Sequence, residues 1–205
     1  MGPRQIMTTL EAIFAADLGR HCLVLDRDRP RNLGGPSDVE RLSRLRQLKS
    51  LAHDGGALLG VTGRLDLALA AGVDAIQLPE RGLDVDEVRQ IAHRPLLVGR
   101  SCHDREGLQR AERTGADWAT LSPVRTPWTK TASGSPLGVD GFRAMCTGIG
   151  LPVFALGGIG PDICARLKAA GAAGVATIGA VFAVEDPIRS VDALTGAWDR
   201  GRRPS

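Results

Sequence analysis

One pattern recurs four times along this chain of 205 residues and limits the possible fold more than any other feature. A segment rich in Ala and Leu ends at a Gly, and a short apolar segment follows at once. The four glycines are Gly19, Gly72, Gly115 and Gly171. Gly directly after a helix can adopt the left-handed conformation that closes the helix. Each occurrence therefore predicts a helix, a turn and a strand.

The apolar segments predict parallel strands. Besides those that follow the four glycines, three more occur at 57–61, 96–100 and 152–156. Near-continuous apolar runs are typical of parallel strands covered on both faces. Helices are expected roughly at 9–18, 37–53, 64–71, 84–92, 104–114, 138–145, 161–170 and 187–198. This alternation restricts the fold to a doubly wound sheet or a barrel, and the full-length repeat favours a compact (β/α)8 TIM barrel.

The beginning of the chain departs from this pattern. The pattern gives eight helices but only seven clear strands, and only 4–8 precedes the first helix. The first strand is therefore predicted to be very short or missing. Since no linker-like segment interrupts the chain, 1–205 is predicted to be one domain. A missing strand leaves a sheet edge without a partner, so we expect a homo-oligomer.

Charge and cysteine content exclude several classes of protein. The net charge is +3, and basic residues alternate with acidic ones along the chain, so no nucleic-acid partner is expected. The four widely spaced cysteines form no CxxC pattern, which favours reduced thiols and a cytoplasmic protein. No apolar run approaches the roughly 20 residues of a membrane span, so no membrane partner is expected. The first residues lack the apolar core of a signal peptide.

The segment 151–181 points to a phosphate ligand. It reads as an apolar strand ending at Gly157 and Gly158, a helix that begins near Pro161, and a second strand ending at Gly179 and Ala180. Residues without bulky side chains leave backbone N–H groups accessible, and the last two loops of a parallel barrel are where phosphate usually binds. These four small residues are the predicted phosphate site. The alternative is steric, because barrel strands often end in Gly at tight turns.

Several segments together resemble the thiamine-phosphate synthase/TenI superfamily of small (β/α)8 barrels. Their order and spacing match over 9–187, and the segments are TGRLDLALAAGVDAIQLP (62–79), VGRSCHD (98–104), SPVRTPWTK (122–130), SPLGVDGF (135–142), LPVFALGGIGPD (151–162) and GAAGVATIGAVF (171–182). The superfamily contains synthases, an isomerase branch and members of unclear activity, so membership alone does not define the reaction.

The resemblance implies Mg²⁺ for the synthase branch, which joins an aminopyrimidine diphosphate to a thiazole phosphate. The family's two carboxylate ligands correspond here to Gly63 and Gly82. The basic strand-two run of the family is represented by Val24-Leu25-Asp26-Arg27-Asp28, where an acidic residue stands at a basic position, although a one-residue shift of the alignment restores Arg27 and Arg29. We therefore expect no metal and no cofactor, and we rank a divergent synthase below the other readings.

The TenI branch resembles this chain more closely in Gly63-Arg64, Gln77-Leu78-Pro79 and Gly99-Arg100-Ser101. Its members tautomerise a thiazole carboxylate phosphate, which requires an acid or base near the ring but no metal. The characterised pattern places a His just after strand six, and the matching residue here is Pro123. This chain therefore lacks the family's usual proton carrier at that position.

Two residues are candidates for that role. His103 follows the fifth strand of the family pattern and can carry a proton, or it is a solvent-facing residue beside the helix cap Asp104. Lys130, with Thr129, matches a family Thr-Lys pair that contributes to phosphate or ring binding, and its alternative is an exposed lysine. The other histidines are expected at the opposite, stabilising face and are assigned no role.

Three further residues are expected to contact substrate. Arg125 stands where the family has an apolar residue, and it either binds a carboxylate or phosphate or lies in solvent. Arg100 and Ser101 point to the same end of their strand, with a structural ion pair of Arg100 with Glu80 or Asp26 as the alternative.

The sequence thus predicts a TenI-like protein of thiamine biosynthesis that binds a small phosphorylated thiazole. A metal-independent tautomerase is the leading hypothesis. The alternatives are a catalytically silent ligand-binding or partner protein of the same fold and, below it, a divergent thiamine-phosphate synthase.

Overall fold

The computed structural model describes residues 3–16, 22–27, 35–126 and 135–201, and it shows an α/β fold. The chain divides into two compact units, Gly2–Gly99 and Arg100–Ser205. Strands alternate with helices in both units, as the sequence predicts.

In the described part of the unit Gly2–Gly99, three strands pair in parallel and in chain order. Its elements are α1 (Pro3–Ala15), β1 (Leu23–Asp26), α2 (Asp38–Asp54), β2 (Leu58–Thr62), α3 (Leu65–Ala71), β3 (Ala75–Leu78) and α4 (Val85–Ile91). In the ladder, Leu25 is opposite Gly60, and Gly60 is opposite Ala75. Strand β4 (Leu97–Cys102) contains the residue at which the two units divide.

The unit Arg100–Ser205 repeats the arrangement. Its further elements are α5 (Arg105–Arg113), β5 (Trp118–Leu121), α6 (Gly138–Cys146), β6 (Val153–Leu156), α7 (Pro161–Ala169), β7 (Gly174–Ala176), α8 (Gly179–Phe182) and α9 (Pro187–Arg200). Strands β5, β6 and β7 pair in parallel, with Leu121 opposite Ala155 and Leu156 opposite Ala176. The carboxyl ends of these three strands therefore lie along one edge.

The continuous apolar runs are strands because both of their faces are covered. Every residue of β3 and of β5 is buried. Alternation of apolar and polar residues, which marks a strand with one wet face, is therefore absent from these segments. Within the second unit, Phe142 of α6 and Ile163 and Leu167 of α7 are almost fully buried.

Local signals in the sequence correctly predicted several helix ends. Ser37 and Glu40 form a reciprocal capping box at the start of α2, and Asp104 accepts a hydrogen bond from the Gly107 amide at the start of α5. Gly72 closes α3 in the left-handed conformation with φ of 65°. Gly115 and Gly171 also have positive φ, whereas Gly19 lies outside the described residues.

The structure decides between the two possibilities for the first strand. The segment 4–8 forms no strand, because Pro3–Ala15 is one helix with Leu10 and Ile13 buried three residues apart. Of the described residues, the first to form a strand are Leu23–Asp26. The helix α8 was not predicted from the sequence, because it has only four residues and begins at Gly179, where a strand end was expected.

The cysteines are free thiols, as expected. Cys102 and Cys164 are buried, and Cys22 and Cys146 are partly buried. Burial raises the pKa of the Cys146 and Cys164 thiols to about 11, and Asp162 adds to the effect at Cys164. Within the described segments, no helix has the length and apolarity needed to cross a membrane.

Candidate functional site

The predicted phosphate-binding residues lie at one edge of the second unit. Gly157 follows β6 directly, and Gly179 follows β7 after two residues. Because β6 and β7 are neighbouring parallel strands, their carboxyl ends face the same side. The edge is also where ligands bind in parallel α/β folds. Gly157 and the segment after β7 thus lie at the same edge, although Gly179 begins the short helix α8 and does not end a strand as predicted.

Gly157 and Gly158 are required by the close approach of the segment that follows β5. Their φ angles are +100° and +61°. A Cβ at Gly157 would lie 3.0 Å from Cα of Pro123, and one at Gly158 would lie 2.7 Å from Cβ of Arg125. Two backbone bonds hold this approach, from the Val124 amide to the Leu156 carbonyl (2.9 Å) and from the Arg125 amide to the Gly157 carbonyl (3.0 Å). The steric alternative therefore accounts for both glycines by itself.

The loop between β6 and α7 retains backbone donors. In the described chain, the turn and loop hydrogen bonds use none of the N–H groups of Gly158, Ile159 and Gly160 as donors. The Ile159 carbonyl accepts a hydrogen bond from Oγ1 of Thr177, at 3.4 Å, which ties this loop to the end of β7. Backbone N–H groups in front of a helix suit an anion.

The second small pair is positioned by the last helix. Gly179 and Ala180 begin α8, and Oγ of Ser190 in α9 donates a hydrogen bond to the Ala180 carbonyl. Asp186 caps α9 by accepting from the Arg189 amide at 2.9 Å. No sequence signal near Ser190 indicates this contact with a residue ten positions earlier.

The exposed His103 ring is held against the end of β5. Its Nδ1 lies 2.7 Å from the carbonyl oxygen of Ser122 and 3.3 Å from the Ser122 hydroxyl. A carbonyl only accepts, so Nδ1 carries the hydrogen, and the neutral ring has its lone pair on Nε2. Ser122 directly precedes Pro123, the position at which the family pattern has its His. The His103 ring is thus next to that position although it comes from another loop.

The remaining predicted residues differ in their exposure. Arg100 lies inside β4 and is buried, at 5% exposure, and its neighbour Ser101 is half-buried. Arg125 is 43% exposed and donates from Nη1 to Oδ2 of Asp162 at 2.6 Å. Thr129 and Lys130 lie outside the described residues.

Asp26, one alternative partner for Arg100, forms ion pairs with two arginines of α2. Arg44 Nη2 lies 2.9 Å from one oxygen, and Arg41 Nη2 lies 3.8 Å from the other. All three side chains are less than one-fifth exposed. This charged cluster lies at the carboxyl end of β1 in the first unit.

The residues at the synthase metal positions do not fit a Mg²⁺ site. Gly63 and Gly82 carry no side-chain ligand, and their φ angles of +70° and +155° disfavour a side chain. A Cβ at Gly82 would lie 3.3 Å from the Pro79 ring, and one at Gly63 would lie 3.8 Å from it. Nowhere in the described residues do three or more His, Cys, Asp or Glu side chains form a group that could hold a metal ion.

Parallel α/β folds with helices between the strands form a class of proteins that commonly bind small ligands at this edge. The model of one family, thiamine monophosphate synthase, matches residues 6–181, and the chain belongs to this family.

Named relatives agree with this assignment. A Geobacter sulfurreducens protein, provisionally named thiamine-phosphate synthase, is 38% identical over 195 residues, which are 94% of this chain and 87% of the relative. The thiamine-phosphate synthase of Methanoregula boonei is 36% identical over 152 residues, 74% of this chain and 69% of the relative. Some relatives are longer proteins, and the chain spans 32% of one and 42% of another.

A solved structure also resembles this one over most of its length. Thiamine phosphate pyrophosphorylase from Pyrococcus furiosus matches with a TM-score of 0.79 and 26% identity, covering 93% of this chain and 89% of that one. The fold is therefore shared along with the sequence.

Proposed function

We propose that this chain is a TenI-like member of the thiamine-phosphate synthase family that binds a thiazole phosphate and tautomerises it without a metal. The position of His103 carries the proposal. Its Nδ1–H is bonded to the Ser122 carbonyl, which leaves Nε2 to accept or return a proton. The ring is exposed, and a positioned imidazole can act as a general acid or base toward a ligand bound at the strand ends.

The phosphate would bind to backbone amides at the glycine-containing strand ends. We place it near Gly157, Gly158, Gly179 and Ala180, and we propose that Thr129 and Lys130, which lie outside the described residues, also contribute. The donor groups of the Gly158–Gly160 loop and the start of α7 support this placement. Lys130 is the second candidate for the proton carrier, and Arg100 and Ser101 remain candidates for substrate contact.

Residues at the synthase metal positions favour tautomerisation over synthesis. A diphosphate leaving group carries several negative charges that Mg²⁺ neutralises. Gly63 and Gly82 supply no carboxylate for such an ion. Proton transfer within a thiazole ring needs only a positioned acid or base.

We also propose the finer features that accompany this assignment. The strands would close into a (β/α)8 barrel, and the protein would act in the cytoplasm on a small molecule. We expect copies of the chain to associate, and a monodisperse monomer in sedimentation would contradict that expectation.

A His103 variant tests the tautomerase directly. In His103→Gln the side chain keeps an N–H donor for the Ser122 carbonyl but has no group that titrates. We expect its kcat on the thiazole carboxylate phosphate, followed by ring absorbance, to fall by roughly 100-fold or more. The exposed His93→Gln is the matched control and should keep full activity.

The outcomes separate the alternatives. Equal rates in the two variants would reject His103 as the proton carrier. Ligand binding without turnover in the unaltered protein would identify a catalytically silent member.

A divergent synthase is the second candidate, favoured by the names of relatives at 36% and 38% identity. It predicts that the chain forms thiamine phosphate when the aminopyrimidine diphosphate, the thiazole phosphate and Mg²⁺ are all supplied. That product, detected by mass, would replace the tautomerase proposal.

A further inference from the structure

We infer that Arg125 is the residue that recognises the ligand's carboxylate. In the absence of ligand, Asp162 pairs with the Arg125 guanidinium, and the ligand's carboxylate replaces it. This inference rests on the proposed function, because it names which part of that substrate Arg125 binds. It goes further by separating carboxylate recognition from phosphate recognition at the same edge.

The backbone fixes where Arg125 begins. Its amide donates to the Gly157 carbonyl at 3.0 Å, and the preceding amide of Val124 donates to the Leu156 carbonyl at 2.9 Å. Thus the segment after β5 continues the pairing with β6 beyond the ends of both strands. Arg125 is held directly beside the glycines of the proposed phosphate site.

The two glycines provide the space that Arg125 needs. A Cβ at Gly158 would lie only 2.7 Å from the Arg125 Cβ, and one at Gly157 would lie 3.4 Å from the Arg125 carbonyl oxygen. A larger residue at Gly158 would displace the Arg125 side chain from this edge. The two glycines therefore border the proposed phosphate site and also leave room for the Arg125 side chain.

The guanidinium retains binding capacity. In the described part of the chain its hydrogen-bond partner is Oδ2 of Asp162, which takes one donor at 2.6 Å. An arginine has five N–H donors in a planar fork that matches a carboxylate in two-point geometry. Its side chain is 43% exposed, so the other donors can be reached from solvent.

Asp162 is suited to be displaced. It lies in the first turn of α7, immediately after the glycine loop, and its side chain is 62% exposed. An exposed ion pair contributes little to stability, so exchanging one carboxylate for another costs little. A ligand that has both a phosphate and a carboxylate can add the second group to Arg125 in place of Asp162.

Binding of three probes tests the inference: the thiazole carboxylate phosphate, the same thiazole phosphate without its carboxylate, and inorganic phosphate. For Arg125→Gln, calorimetry should show roughly 10- to 100-fold weaker binding of the carboxylated ligand, the usual range for one charged hydrogen-bonding group. The other two probes should change by less than about threefold. Asp162→Asn should bind the carboxylated ligand several-fold more tightly, because a competitor has been removed.

Arg143→Gln is the matched control. Arg143 forms a comparable exposed pair with Asp140 on α6, at 3.5 Å, and its loss should leave all three affinities unchanged. The inference is overturned if Arg125→Gln weakens all probes equally, if it weakens none, or if Asp162→Asn weakens the carboxylated ligand. If the unaltered protein binds inorganic phosphate but neither thiazole, the proposed function fails, and the inference fails with it.

Discussion

Gly158 and Gly115 have similar backbone conformations in very different surroundings. Their φ angles are +61° and +75°, both in the left-handed region. A Cβ at Gly115 would meet no atom within 4 Å, whereas one at Gly158 would lie 2.7 Å from Arg125 Cβ and 2.8 Å from the Thr126 carbonyl oxygen. Comparing the two positions therefore separates the free-energy cost of a left-handed backbone conformation from the cost of steric contact with neighbouring atoms.

Alanine at each position measures the two costs. Gly115→Ala should lower the free energy of unfolding by about 1–2 kcal/mol, the cost of a left-handed conformation alone. Gly158→Ala should lower it by a further 1–3 kcal/mol or so, because the loop after β5 must move. Urea denaturation of both variants provides the comparison. Equal losses would show that the close approach at Gly158 relaxes without cost.

At the scale of single elements, α5 shows how a helix start supports the site. Asp104 accepts the Gly107 amide at 2.8 Å and so fixes the first turn of α5. His103 is the preceding residue, and its ring contacts Ser122. The cap thus fixes the start of the helix that directly follows the proposed proton carrier in the chain.

Removing this cap should destabilise the helix. We expect Asp104→Ala to lower the free energy of unfolding by about 1 kcal/mol, since the amide of Gly107 loses its acceptor. Asp104→Asn retains an acceptor and should lose much less. Thermal or urea unfolding checks both variants, and similar losses in Ala and Asn would show that the negative charge, rather than the hydrogen bond, is what matters.

At the scale of the whole molecule, the ion pairs of Arg64 make the stability of the fold depend on pH. Arg64 binds Asp66 at 2.6 Å and Asp38 at 2.9 Å in the first unit. Hydrogen bonding to Arg64 holds the pKa of both carboxyl groups below the usual range. Carboxylates with lowered pKa values stabilise the fold above their unfolded pKa of 3.8, and this contribution is lost as the pH falls further.

Acid stability should therefore depend on Arg64. As the pH falls from about 5 to 2, we expect the melting temperature of the unaltered protein to fall more steeply than that of Arg64→Gln, in which the shifts are removed. Arg143→Gln removes the same charge elsewhere and should follow the unaltered protein. Parallel curves for Arg64→Gln and the unaltered protein would disprove a role for this network.

The sequence by itself determined the alternation of elements, many of the helix ends and the family. These depend on short-range signals, such as the capping oxygens of Ser37 and Asp104 and the apolar strand segments. It also predicted that Gly157 directly follows a strand, whereas Gly179, predicted to end a strand, begins α8.

Only the tertiary structure decided which side chains meet at that edge. The contacts of His103 with Ser122 and of Arg125 with Asp162 join residues 19 and 37 positions apart. The helix Pro3–Ala15, where a strand was one possibility, likewise reflects burial of Leu10 and Ile13. Periodicity and capping act over a few residues, whereas contacts between distant segments depend on how the strands align. The sequence therefore predicted most of the strands, and the tertiary structure decided which side chains lie beside their ends.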